Sequence, residues 1–166
     1  MKTLFLIRHA KSSWADPSLT DKKRPLNKRG RRDAPFMAKL MIEKKIKADL
    51  ILSSPAVRAL TTAQHFAQAQ GIPLSKIDVR DLIYASFVND LVRMVQGLDD
   101  AHSIVFLFGH NPEFTSFANR FSDQYIDNVP TCGIVGIQGE IDSWSQFDRN
   151  TCQLIGFDYP KRYFPK

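Results

Sequence analysis

A three-layer α/β/α sandwich, with a mostly parallel central sheet and a C-terminal antiparallel meander, is the fold class this sequence predicts. Three observations carry the prediction. The most apolar runs, Leu4 to Ile7 and Ile104 to Phe108, have the length and composition of fully buried strands. Strand-like and helix-like stretches alternate through the first two-thirds of the chain, which is the pattern of parallel strands covered by helices on both faces. From Gly133 onward the pattern changes to strict alternation, as expected of antiparallel strands. At 166 residues and 43% hydrophobic content, without a linker, repeat or low-complexity tract, residues 1–166 are expected to form a single domain with a full core.

Taken in order, Thr3 to Arg8 is the first strand, an apolar run that ends in a polar cluster. A polar loop from Ala10 to about Asn27 follows. Phe36, Met37, Leu40 and Met41 then share one face of a helix predicted over Arg29 to Lys44. Asp49 to Leu52 reads as a second buried strand. Ser53-Ser54-Pro55 starts a helix, with serine able to cap and proline tolerated in the first turn, and Gly71 stops it. Lys76 to Arg80 is a short edge strand, Val88 to Leu98 a helix, and Ser103 to Phe108 the most apolar strand. After Gly109-His110-Asn111-Pro112 a helix runs to about Phe121. The meander is expected from strands near Ile134, from Trp144 to Phe147 and from Thr151 to Phe157, with Phe164 to Lys166 a loosely held terminus.

Charge narrows the partners. The chain carries 23 Lys and Arg against 17 Asp and Glu, a net charge of +6, with a pI near 9.4, which calls for an anionic partner. Nucleic acid, an anionic membrane, a phosphoprotein and a small phosphate ester all meet that requirement. No apolar run is long enough to span a bilayer, and Met1-Lys2-Thr3 leads straight into a strand stopped by Arg8, leaving no room for a signal-peptide core. A cytoplasmic protein without membrane association is therefore expected. Cys132 and Cys152 lack metal-ligand spacing and are expected to be buried free thiols in strand-like stretches.

In open α/β sheets ligands bind beyond the carboxyl ends of the strands. Arg8 and His9 follow the first strand; Ser53, Ser54 and then Arg58 follow the second; Asp81 and Tyr84 follow the third; His110 and Asn111 follow the fourth. Two arginines and two histidines thus converge on one edge. Their donors suit the three peripheral oxygens of a phosphoryl group, and with no metal-binding carboxylate cluster in view, side chains alone must neutralise it. No cofactor is expected. A neutral imidazole at a strand end, flanked by guanidinium groups that hold phosphorus in line, is a competent nucleophile.

The runs Leu6-Ile7-Arg8-His9-Ala10-Lys11-Ser12, Ser53-Ser54-Pro55-Ala56-Val57-Arg58-Ala59-Leu60-Thr61-Thr62-Ala63 and Gly109-His110-Asn111-Pro112 resemble, in order and spacing, the histidine phosphatase superfamily, whose fold is phosphoglycerate mutase-like. Arg24-Pro25-Leu26-Asn27-Lys28-Arg29-Gly30 resembles the extension found in its phosphohistidine phosphatase, SixA-type branch. The resemblance covers about residues 3 to 122. It implies a nucleophilic His9 that forms a phosphoenzyme, with Arg8, Arg58 and His110 completing the phosphate pocket and Arg24 and Ser12 contacting substrate. Phosphate or sulfate is expected to fit the same pocket.

Two departures refine this. Ala10 stands where the superfamily's first motif usually has glycine, so the backbone there must take a conformation that alanine tolerates. Larger members place a general-acid glutamate after the third strand, whereas this chain has Asp81-Leu82-Ile83-Tyr84, which argues against a mutase. Asp81 and, second, Glu113 are the candidate general acids, each also readable as an ordinary surface carboxylate. The missing glutamate suits phosphohistidine, whose leaving imidazole has a conjugate acid of pKa about 6.5 and departs more readily than an alkoxide. No insertion is long enough for a lid domain, so the pocket is expected to admit a histidine displayed on a protein. The leading expectation is a phosphohistidine protein phosphatase; the alternatives are a phosphatase for small phosphate esters and a non-catalytic phospho-ligand binding module.

Lys22, Lys23, Arg24, Lys28, Arg29, Arg31 and Arg32 crowd into one short segment. Without interleaved aromatic residues it reads as a solvated face that steers anionic partners, with Arg24 reaching the pocket, and not as a nucleic-acid site. Trp14 is read as a packing anchor of the first loop, and His65 and His102 as structural or exposed.

Overall fold

The computed structural model describes residues 1–164. Strands β1 (Lys2–Arg8), β2 (Leu50–Ser53), β3 (Asp78–Val79), β4 (Ile104–Gly109), β5 (Ile134–Gly139) and β6 (Cys152–Asp158) form one sheet in the order β3-β2-β4-β1-β5-β6. The first four of these are mutually parallel, β5 is antiparallel to β1, and β6 is antiparallel to β5. Helices α1 (Lys28–Glu43), α2 (Val57–Gln70), α3 (Val88–Gln96) and α4 (Glu113–Arg120) cover it.

The two-residue period of the strands divides the core into two layers. Phe5, Ile7, Phe106, Phe108 and Ile134 face one side, where Met37, Ala38 and Met41 of α1 and Ala63, Phe66 and Ala67 of α2 pack on them. Leu4, Leu6, Val105, Leu107, Val135 and Ile137 face the other, against Leu91 and Val95 of α3 and Phe114 and Phe117 of α4. Each fully buried Leu, Ile or Phe contributes about 1.5–3 kcal/mol through loss of water-exposed apolar area. Continuous apolar runs such as Ile104–Phe108 are therefore required by burial on both faces.

Local chemistry sets the helix ends. The Asn27 side chain caps α1 by accepting the Gly30 N–H at 2.9 Å. Gly30 sits so close to the carbonyl oxygen of Lys11 that a Cβ there would collide with it, and the Asn27 N–H donates to the same carbonyl at 3.0 Å. The first turn of α1 thus packs directly on the chain leaving β1. At the other end of the scaffold, α2 stops at Gly71, which takes the left-handed conformation with φ 70°.

Several elements differ from the sequence expectation. The Trp144–Phe147 strand is a single 3-10 turn over Trp144–Gln146, so the meander is one β5–β6 hairpin. A 3-10 turn places residues three apart on one side, which buries Trp144 and Phe147 together, and the indole N–H donates to the His102 carbonyl at 2.8 Å. The edge strand shrinks to Asp78–Val79 after a 3-10 turn at Leu74–Lys76. Neither serine caps α2: the helix opens at Val57 behind Ala56, and Ser54 Oγ accepts the Ala56 N–H at 3.1 Å. Cys132 and Cys152 are free and buried, but Cys132 lies in a turn at φ 58°. Phe164 packs on Phe36 at 4.8 Å between centroids and under the Arg32 guanidinium at 4.0 Å, so it is held; Pro165 and Lys166 lie outside the described residues. Among the described residues no helix is long and apolar enough to cross a membrane.

Candidate active site

Register brings the site together. In the parallel β1–β4 ladder Arg8 pairs with Gly109, and in β2–β4 Ser53 pairs with Phe108. Pairing continues one step past each strand: the His9 N–H donates to the Gly109 carbonyl at 3.0 Å and the Ser54 N–H to the Phe108 carbonyl at 3.1 Å. His9, Ser54 and His110 therefore emerge side by side at one edge, the two imidazole centroids 5.3 Å apart. Cys132 fixes the end of β1 from the other side, its N–H donating to the carbonyls of both Arg8 and His9 at 3.0 Å.

His9 and His110 are each 8% exposed. Burial, then the nearby charges of His110, Arg58 and Arg8, depress His9 to about 3 against an opposing hydrogen bond to Ala10. Burial and Arg58, opposed by Asp21, depress His110 to about 4. Both rings are neutral near pH 7. His9 Nδ1 lies 2.7 Å from the Ala10 carbonyl, which can only accept, so Nδ1 carries the proton and Nε2 keeps its lone pair. His110 Nε2 lies 2.8 Å from Ser54 Oγ. That hydroxyl already accepts from Ala56, so donating to His110 Nε2 satisfies it and leaves the ring proton on Nδ1.

Among the described residues, two buried atoms of the site have no partner: His110 Nδ1 and Arg8 Nε. With this tautomer both are donors, and a buried donor without an acceptor costs about 1–3 kcal/mol. Arg58, 7% exposed, lies within electrostatic reach of both histidines and of Arg8.

Arg24 and Ser12 lie one layer out. Arg24 Nη2 donates to Ser12 Oγ at 2.5 Å, its Nε to the Ser13 carbonyl at 3.1 Å, and its guanidinium stacks 3.3 Å from the Trp14 ring centre. Trp14 is 75% exposed, so it covers Arg24 and does not anchor the loop in the core. Asp81 and Glu113 stay outside this network: Asp81 is exposed at the start of a 3-10 turn, Glu113 half-buried at the start of α4, and among the described residues neither bonds to the histidines or arginines of the site. Ala10 is buried without a positive φ, and its N–H donates to Thr62 Oγ1 at 3.0 Å, so alanine fits there. His102 serves the fold through its carbonyl, and His65 is half-buried on α2 with its pKa lowered by burial.

Sequence reasoning missed Asp21, which accepts from Arg58, Arg24 and Tyr84. The available signal was an isolated acid just before Lys22-Lys23-Arg24, three residues from one of the candidate arginines. Tyr84, which follows the third strand in sequence, reaches the site through its hydroxyl bond to Asp21.

The family model of the histidine phosphatase superfamily (branch 1) matches residues 4–81, from β1 past β3. An uncharacterized chloroplastic protein of Arabidopsis thaliana is 30% identical over 153 residues, covering 87% of this chain and 70% of its own length. The solved structure of SixA from Agrobacterium tumefaciens, assigned as a phosphohistidine phosphatase, is 28% identical with a TM-score of 0.79, covering 96% of this chain and 98% of that one. The chain belongs to the histidine phosphatase superfamily. Its fold also matches the protein histidine phosphatase SixA solved with tungstate, at a TM-score of 0.82 and 18% identity over 97% of this chain and 99% of the other. The matched residues contain Arg8, His9, Asp21 and Arg58; His110 and Tyr84 lie beyond them.

Proposed function

We propose that this histidine phosphatase hydrolyses phosphohistidine displayed on a protein, through a phosphorylated His9. The observation that carries the reading is the tautomer: with Nδ1–H tied to the Ala10 carbonyl, His9 presents a bare Nε2 beside the unsatisfied donors of Arg8 and His110. A phosphoryl group supplies the missing acceptors. The tungstate bound in SixA, an oxyanion of similar charge and shape, supports the same use of the pocket.

In the first step Nε2 attacks phosphorus in line, forming a phosphorus–nitrogen bond as the one to the substrate imidazole breaks; the departing imidazole takes its proton from solvent. Water then attacks the phosphoenzyme, inorganic phosphate leaves, and His9 returns to the neutral form. Arg8, Arg58 and the His110 Nδ1–H stabilise charge on the peripheral oxygens, the kind of preorganised donor set that contributes most to such transfers.

The supply of protons favours a nitrogen leaving group. Asp21 is held ionised at about 2 and the Tyr84 hydroxyl is committed to it, while Asp81 and Glu113 stand apart. An alkoxide would leave without assistance, whereas an imidazole needs little. An acidic partner is supported by the basic lining of a cleft of about 750 Å³ beside Arg8, formed also by Lys11, Arg29, Arg32 and Lys161. Among the described residues its one carboxylate, Asp33, is already paired with Arg32 at 2.8 Å.

Rapid-quench trapping tests the reading. A phosphohistidine protein should yield an acid-labile, alkali-stable phosphoenzyme that disappears in His9→Ala, and kcat/KM should exceed that for a panel of small phosphate esters. Faster turnover of an ester shifts the substrate to the second class; no phosphoenzyme with any donor leaves a binding module.

A further inference from the structure

Asp21 collects hydrogen bonds from Arg58 of the pocket and from Arg24 one layer out. Its Oδ2 accepts from Arg58 Nη2 at 2.9 Å and from the Tyr84 hydroxyl at 2.7 Å; its Oδ1 accepts from Arg24 Nη1 at 3.0 Å. Its backbone carbonyl accepts from Arg58 Nη1 at 2.7 Å and from the Arg24 N–H at 3.2 Å. The donors come from α2, from the turn after β3 and from the loop itself, so one residue joins three parts of the chain.

Charge alone gives this carboxylate no task. Beside a pocket for a dianion it repels the ligand, so its attraction is for the protein's own cations. Geometry gives it one. Both terminal nitrogens of Arg58 are committed to Asp21, which fixes the plane of the guanidinium. The Nε–H and an adjacent terminal N–H remain, a parallel pair that matches two phosphoryl oxygens.

We propose that Asp21 is a positioning residue for phosphoryl transfer, locking the Arg58 fork and pinning the loop after β1 to Tyr84, so that alignment of phosphorus with His9 Nε2 depends on it while affinity for the anion does not. This rests on the phosphatase reading above. Burial would raise the Asp21 carboxyl, but the bonds from Tyr84, Arg58 and Arg24 outweigh it and bring it to about 2. The lock therefore stays closed across the range in which enzymes work, and so weak a base does not activate the attacking water.

The test separates alignment from affinity. Asp21→Asn is compared with the unaltered protein for single-turnover phosphorylation of His9 by phosphoramidate, for orthovanadate affinity, and for hydrogen exchange of the Arg58 guanidinium by NMR. The expected result is a loss of about 30- to 100-fold in the transfer rate, the penalty of a small misalignment, with vanadate bound equally or more tightly and Arg58 exchange accelerated. Tyr84→Phe, which keeps the carboxylate and removes one bond to it, should repeat the pattern at about two- to fivefold, and Asp21→Glu should recover part of the loss. A transfer rate within twofold of the original in Asp21→Asn, or vanadate affinity falling in proportion to rate in Tyr84→Phe, overturns the proposal. If the unaltered protein transfers no phosphoryl group, the proposed function falls, while Arg58 exchange still reports whether Asp21 locks the fork.

Discussion

Two features of its surroundings set the state of the His9 ring. The Ala10 carbonyl selects the tautomer, and burial among cations keeps the ring unprotonated. An NMR titration should therefore find no protonation of His9 or His110 above about pH 5 in the free protein, and an upward shift of both when orthovanadate supplies the negative charge the site lacks. Stability carries the same signature. Between pH 6.5 and about 4 the unfolded chain takes up protons that the folded rings refuse, so stability falls as pH falls through that window, by up to about 1.4 kcal/mol per pH unit for each histidine. Urea midpoints measured across it should flatten in His9→Asn. At this scale the sequence was most legible where chemistry follows a strand: Arg8, His9 and His110 could be placed because strand ends share an edge. Asp21 could not, because its partners Arg58 and Tyr84 are far along the chain and only the folded loop brings them to it.

Among the elements, α1 matters to the site through one glycine. A methyl group on Gly30 would strike the Lys11 carbonyl, so Gly30→Ala must push the helix away from the chain that leaves His9. The expected cost is about 1–3 kcal/mol in urea denaturation, together with slower phosphorylation of His9. Gly71→Ala is the contrast: its positive φ makes alanine unfavourable by about 1 kcal/mol, but it ends α2 far from the pocket and should leave phosphorylation unchanged. Helices were readable because a 3.6-residue apolar period is long enough to recognise, as in Met37 and Met41 of α1. Short elements were not. Trp144 and Phe147 fit a strand period poorly and a 3-10 turn well, but their burial under α3 and α4 is a tertiary fact. Ser53-Ser54-Pro55 predicts a cap for α2 because Ser-Pro openings commonly cap; in the fold the Ser54 hydroxyl bonds His110 instead.

For the whole molecule, the excess of positive charge is unevenly spent. Part lies in the pocket, and part lines the adjoining cleft with Lys11 and Lys161. Replacing both lysines by glutamate should raise KM for an acidic phosphohistidine protein about five- to tenfold at low salt, leave turnover of phosphoramidate within twofold, and lose its effect as ionic strength rises. A KM that does not move would assign the cleft no part in recruiting substrate. The layered architecture itself was legible from alternation of strands and helices; the strand order was not, since nothing local says that β1 sits between β4 and β5. That order has a consequence in time. β1 pairs Thr3 with Ile104 and Lys2 with Gly139, so both of its neighbours come from far along the chain. Such long-range pairing is slow to form, and during synthesis it cannot begin until β4 and then β5 have left the ribosome. His9 is translated well before Gly109, His110 and Cys132, so a growing chain carries the histidine without the neighbours that later enclose it.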